Sequence, residues 1–349
     1  MAIYKIFPEK DASIYSEYPL KNTGLDEILD LSTTYTTTTP AVSRALIKFS
    51  QDEINSIIDG RIGTASFQSN LRLFIANIGD LNMDTTINIH PISGSWAMGT
   101  GRYANNPETR NGVSWEYKTA SGSNAWETAG GDWYNVTQSQ VLTYSGNKDI
   151  NVDVTETILD WYSSSYDNDG FIIKQSDASE FIADRNFTST IKYFSVDTHT
   201  IYPPQLEFKW RDYSFNTGSS AQTIIDTPRL VASLDNNKGT YRLSSIEKFN
   251  INCRPQYPTR TFQTASWYVT NHYLPTASYY AVKDLDTNEF VIDFDDQYTQ
   301  ISADETNSYF TLYMDGLEPE RYYQILIKTN IDGETIILDD NYYFKVING

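Results

Sequence analysis

Along most of the chain, apolar and polar residues alternate in short runs with a period of two. "RALIKFS", "TTINIHPIS", "GFIIKQSD", "PQLEFKWRD", "EKFNINCRP", "NEFVIDFD", "SYFTLYMDGL" and "RYYQILIKTN" all read this way, and Asn, Asp, Gly, Pro and Thr punctuate them. Alternation puts one set of side chains on a buried face and the other toward solvent, so these runs predict β-strands. Their number and even spacing predict an all-β fold of sandwich type. Helical spacing is scarce. "SQDEINSIIDGRI" (Ser50 to Ile62) has Ser50 and Glu53 placed for a capping box and Gly60 placed to end a helix. "DVTETILDWYSSS" (Asp153 to Ser165) offers Asp153 or Thr155 as cap and sets Ile158, Leu159, Trp161 and Tyr162 on one side.

A small, polar stretch, "NTGSSAQT", interrupts the strands within "RDYSFNTGSSAQTIIDTP" (Arg211 to Pro228) and reads as a linker. The expected division is a β-sandwich over residues 1–212, a linker over 213–227 and a smaller sandwich over 228–349. In the second, "MDGLEPERYYQILIKT" sets a Leu and a Pro before a Tyr-bearing strand. Immunoglobulin-like sandwiches often enter a late strand in this way. "TTYTTTTP" (Thr33 to Pro40) suits an exposed extended loop or edge.

Charge narrows the functional classes. Lys plus Arg total 26 against 45 Asp plus Glu, a formal net charge of -19. Such a chain is repelled at long range by nucleic acid and by anionic membrane, so neither is expected as a partner. No apolar run approaches the ~20 residues of a membrane span. "MAIYKIFPEKDAS" lacks the charged and apolar regions of a signal peptide, which predicts synthesis and assembly in the cytoplasm of the producing cell. The single Cys253 lies in the alternating "FNINCRP" and reads as a half-buried strand residue, not a reactive thiol.

The first half also shows an ordered series of features. Asp11 and Ala12 precede a strand, and Asn22 and Gly24 precede another. Arg44, Leu46 and Phe49 follow, then Trp96 and Trp115, then Asp153-Val154-Thr155 with Trp161 and Gly170, and finally Pro203, Pro204 and Leu206. Over roughly residues 8–210 this series resembles the DNRLRE-type domain, a jelly-roll β-sandwich related to carbohydrate-binding modules. The resemblance implies that the Asp153 segment caps a short helix across one end of the sandwich and that Trp161 is buried under it. "DNDG" (Asp167 to Gly170) would then be the turn into the strand "FIIKQS". The chain departs from the family at "VSWEYKTASGSNAWETAGGDW" (Val113 to Trp133), which is longer than the family's turn.

The chemistry is weighed against plainer roles. Setting Gly170 at the sixth position of a calcium loop puts Asp167 and Asp169 at ligand positions, but Ser176 stands where the bidentate Glu belongs. Ca2+ at Asp167 and Asp169 is therefore the minor reading beside a turn, and no other cofactor is expected. The histidines are His90, His199 and His272, and no nucleophile, zinc or phosphate-loop motif accompanies them. The expectation is that the protein is not an enzyme. Trp96, Tyr103, Trp115, Trp126, Trp133 and Tyr134 lie on long Gly- and Asn-rich loops. They could contact a protein partner, contact a glycan by stacking, or fold over the sandwich end and bury one another. With 26 Tyr in a nearly all-β chain, the style resembles virion proteins of tailed bacteriophages. That implies a structural decoration, neck or tail component bound to other virion proteins and to itself, located in the virion. The alternative is an adhesion module contacting host surface glycans.

Overall fold

The computed structural model describes residues 2–35, 39–182, 184, 186–218, 222–223, 230–256, 272–331 and 333–348. The fold is all-β, with curled, sandwich-like sheets as the alternation predicts. The chain divides into two compact units: one is Ile6–Gly63 with Gln68–Glu207, the other Met1–Lys5, Thr64–Phe67 and Phe208–Gly349. Residues 219–221 and 224–227 of the expected linker over 213–227, and Thr36–Thr38 of the threonine-rich stretch, lie outside the described residues.

The strands of the larger unit are β2 (Lys10–Tyr15), β3 (Ile28–Tyr35), β4 (Pro40–Lys48), β5 (Phe67–Leu73), β6 (Ile75–Leu81), β7 (Thr85–Pro91), β8 (Gln138–Leu142), β9 (Ile150–Asp153), β10 (Phe171–Gln175), β11 (Ser189–Phe194) and the start of β12 (Gln205–Trp210); β1 is Ala2–Ile6. The principal sheet runs β6-β11-β3-β4-β10-β7-β8, with β2 also on β4, while β12, β5 and β9 are neighbours in another. β4 is shared along its length. Pro40–Val42 pair with β3, Ser43–Lys48 pair with β2, and Ala45–Ile47 pair with β10. β10 is buried at every position, and Leu46 and Ile172 are both fully covered. Burial of both faces explains why "FIIKQ" reads as a nearly continuous apolar run and not as a strict alternation.

Three short α-helices occur among the described residues, of which α3 (Asp177–Glu180) follows β10. α1 (Gln51–Ile57) is capped as expected: the Glu53 N–H donates to Ser50 Oγ. Gly60 does not end it. A π-helical turn carries on over Ile58–Ile62, and the Gly63 N–H then bonds the Ile58 carbonyl. α2 (Thr155–Tyr162) has Val154 at its N-cap, but Asp153 still serves the first turn, accepting from the Thr155 N–H at 2.9 Å. Its inner face is Thr157, Ile158 and Trp161; Leu159 and Tyr162 point outward, contrary to the expected stripe. One residue is 100° of helix, so the neighbours of two inward residues are carried outside.

In the second unit one sheet runs β13-β17-β16-β21-β20 with β14 on β16, and the other runs β15-β23-β22-β18-β19. The strands are β13 (Gln222–Thr223), β14 (Leu230–Leu234), β15 (Thr240–Arg242), β16 (Ile246–Pro255), β17 (His272–Tyr273), β18 (Tyr279–Asp284), β19 (Phe290–Ile292), β20 (Ser302–Ala303), β21 (Ser308–Tyr313), β22 (Tyr322–Ile331) and β23 (Glu334–Ile347). Their inward residues form one core, including Tyr241, Phe249, Tyr280, Phe310, Tyr323 and Phe344. Tyr280 stacks on Phe310 with ring centroids 4.3 Å apart. The Tyr323 hydroxyl donates to the Glu318 carbonyl at 2.9 Å, tying "LEPERYY" back on itself at the start of β22. Cys253 is buried in β16, and burial pushes its thiol up to about 12, which leaves it unreactive.

Candidate functional site

Residues 92–137 between β7 and β8 form an irregular layer over one face of the β2-β4-β10 sheet. Its buried residues Ile92, Trp96, Val113 and Trp126 pack with Ala12, Ile14, Leu46 and Ile172 from those strands. Such a layer must satisfy its own backbone polar groups, and one buried side chain does much of this. Asn22 donates from Nδ2 to the carbonyls of Met98 (2.7 Å) and Val113 (2.9 Å), and its Oδ1 accepts from the Gly101 N–H (2.8 Å). Its own N–H donates to the Thr109 carbonyl. Close approach here excludes side chains: a Cβ on Gly24 would meet the Met98 carbonyl at 2.0 Å, and one on Gly112 would meet Gly99 Cα at 2.5 Å.

The six loop aromatics are placed differently from one another. Trp96 (3 % exposed) and Trp126 (5 %) lie in the core. Their indole N–H groups donate to the carbonyls of Asp169 (2.8 Å) and Ser114 (3.0 Å). Trp115 and Trp133 are half-buried against the same core. Tyr134 is half-buried and stacks on Tyr166, centroids 4.1 Å apart. Tyr103 is exposed, packed against Tyr15 and Tyr18, with the Lys21 ammonium over its ring. Partial desolvation against these neighbours, together with the hydrogen bond to the Tyr18 hydroxyl, pushes its phenol up to about 12.

Every tryptophan of the layer carries a cation. Lys10 lies over Trp96, Lys118 over Trp126, and Arg44 over both Trp115 and Trp133. Arg44 also holds a buried ion cluster that the sequence reading missed. It donates from Nε and Nη2 to the Glu180 carboxylate (3.0 and 2.6 Å) and from Nη1 to the Gly130 carbonyl (2.8 Å). Lys174, itself buried, bonds Asp177 and lies 3.3 Å from Glu180. The Lys174 hydrogen bond holds the Asp177 carboxyl below its ordinary value. The one signal in the sequence was a lysine inside the apolar run "FIIKQ". His90 stacks on Trp133, and its Nδ1 lies 2.9 Å from the Val136 carbonyl; burial lowers its pKa.

"DNDG" is a turn held by hydrogen bonds. Asn168 Oδ1 accepts from the Gly170 N–H at 3.1 Å, and Asn168 Nδ2 donates to the Phe49 carbonyl. Gly170 has φ +94°, and a Cβ there would meet the Ile47 carbonyl at 2.4 Å. The Asp169 carboxylate accepts from the Gly94 N–H at 3.0 Å, while Asp167 is exposed. Among the described residues no group of three or more His, Cys, Asp or Glu side chains is placed to hold a metal. His199 is exposed after β11, and His272 lies in β17.

No family model matches the chain, and no curated protein matches it. Similar solved structures include an FMN-binding beta-glucuronidase from Facaelibacterium prausnitzii L2-6, at 12% identity over 96% of this chain and TM-score 0.16. Another is the beta-glucuronidase of Parabacteroides merdae, at 10% identity over 96% of this chain and TM-score 0.17. The chain spans 39% and 35% of the length of those two proteins. At these TM-scores the likeness carries no argument about fold or function.

Proposed function

We propose that this chain is a non-enzymatic structural component of a tailed-phage virion, a decoration, neck or tail protein that binds neighbouring virion proteins. The observation that carries the reading is the identity of the exposed aromatics. Of the layer's tryptophans Trp96 and Trp126 face inward and Trp115 and Trp133 are half-buried, whereas Tyr103, Tyr144, Tyr162, Tyr322 and Tyr343 are among the large side chains left exposed. These tyrosines are spread over both units. Tyrosine offers wide, rigid contact area with few torsions to freeze, which suits protein contacts at several places on one surface. Glycan adhesion, the alternative, calls for a platform of exposed rings in one place.

Light scattering on the purified chain, alone and with EDTA, tests the proposal alongside a glycan array. A discrete multimer without glycan binding is the expected outcome. A monomer that binds a defined glycan would replace this reading with the adhesion module. Dissociation by EDTA would bring Ca2+ at Asp167 and Asp169 back into the account.

A further inference from the structure

Between β8 and β9 the chain makes a tight turn, Thr143–Lys148, whose first five residues are all exposed. Lys148 is the reverse: only 4 % of it is accessible. A lysine at a surface turn ordinarily extends its ammonium into water. This one curls back into its own turn. Nζ donates to the carbonyls of Thr143 (2.5 Å), Tyr144 (3.1 Å) and Gly146 (2.5 Å). An ammonium has three N–H donors, and here three carbonyl oxygens converge on them.

We propose that the 143–148 turn is a cation-binding cradle of backbone carbonyls and that the Lys148 ammonium is its resident, covalently tethered cation. Three carbonyl dipoles aimed at one point repel one another unless a positive charge sits between them, and carbonyl cages hold monovalent cations by the same physics. Three neutral oxygens are too few and too weak for Ca2+, which takes six to eight ligands including carboxylates. The class of ligand the cradle accepts is therefore a monovalent cation, and a primary ammonium above others, because it matches the donor count.

The rest of the turn is built around this point. The Gly146 N–H donates to the Thr143 carbonyl at 3.1 Å, and the Tyr144 N–H donates to Asp84 Oδ1 at 2.7 Å. Asn147 Oδ1 accepts from the Asp149 N–H at 3.0 Å. The Tyr193 hydroxyl donates to the Lys148 carbonyl at 2.9 Å, fixing where the tether starts. What the turn displays is Tyr144, 66 % exposed, next to Val141, 60 % exposed. The tethered cation makes Lys148 the positioning residue for this part of the surface.

Chemical rescue separates a cradle from an ordinary buried lysine. In Lys148→Ala, hydrogen–deuterium exchange over residues 141–150 should accelerate roughly ten-fold, the scale set by taking from three carbonyls the donor that holds them together. Ethylammonium chloride should slow it back toward the parent rate, while tetramethylammonium chloride at equal ionic strength, which has no N–H, should not. Equal effects of the two salts, or parent-like exchange in Lys148→Met, would overturn the proposal. Should the variants fail to fold, competitive acetylation of the unaltered chain decides: Lys148 should react at least ten-fold more slowly than exposed Lys238, and equal rates would refute the tethered cation.

Discussion

Asn22 shows how much one side chain organises. It is fully buried, and its amide bonds three separate backbone groups of the 92–137 layer. Removing the amide strands those groups without water, at a cost of about 3 kcal/mol. Asn22→Ala should therefore lower the urea midpoint of the unit by a corresponding amount and shift tryptophan emission to the red as Trp96 and Trp126 lose their cover. An Asn22→Ala protein with unchanged midpoint and emission would show that the layer holds itself. Gly24→Ala tests the same place by volume, since its new methyl falls 2.0 Å from the Met98 carbonyl. It should destabilise at least as much, and trapping in inclusion bodies is the simplest readout. Asn22 and Gly24 were visible in the sequence as a short motif. Their task was not, because Met98, Gly101 and Val113, which the Asn22 amide bonds, lie more than seventy residues away.

At the scale of elements, local signals were read well and long-range ones poorly. The cap of α1 is legible because Ser50 and Glu53 are three residues apart. The outward turn of Leu159 and Tyr162 follows from helix geometry once α2 is seen to pack through Ile158 and Trp161. The Arg44–Glu180 pair joins β4 to the short helix α3 (Asp177–Glu180) that follows β10, with 136 residues between the partners. Both groups are buried, so removing Arg44 takes the bidentate partner from Glu180, which keeps Lys174 at 3.3 Å, and the donor from the Gly130 carbonyl. Arg44→Met should cost about 3–5 kcal/mol, and the double variant Arg44→Met/Glu180→Leu should cost clearly less. A double-mutant cycle by denaturant unfolding measures the difference. If the double variant is the worse of the two, the pair is not what holds α3 to β4.

The whole molecule carries a net charge of -19, and several buried groups contribute to its pH response in opposite directions. Burial pushes Asp11 up to about 7, against the pull of the Val196 amide and with Asp197 adding to the rise. Burial likewise pushes Glu318 up to about 7, with Asp284 adding and Arg321 and Lys5 opposing. Between about pH 4 and 7 the folded chain keeps protons that the unfolded chain has released, so these two groups stabilise it less as pH rises through that window. Other groups act in the opposite direction. Asp284 is lowered, the Arg321 hydrogen bond and neighbouring amides outweighing burial, and the stability it supplies is lost as pH falls through the carboxylate range. Buried His90, also lowered, likewise loses stability toward acid. Relative to the parent, Asp11→Asn and Glu318→Gln should thus gain stability steadily from pH 4 to 7 and level off above. Denaturant midpoints across that range check this, and a difference independent of pH would show that neither acid holds a proton in the fold. What the sequence determined by itself was the all-β class, the strand runs and the Ser50 cap of α1, because alternation and capping act over a few residues. Which loop tryptophans face inward, where Arg44 meets Glu180, and why Lys148 turns back on its own carbonyls were decided only by the tertiary structure. Each depends on surfaces brought together in space, where burial changes what a charge or a ring can do.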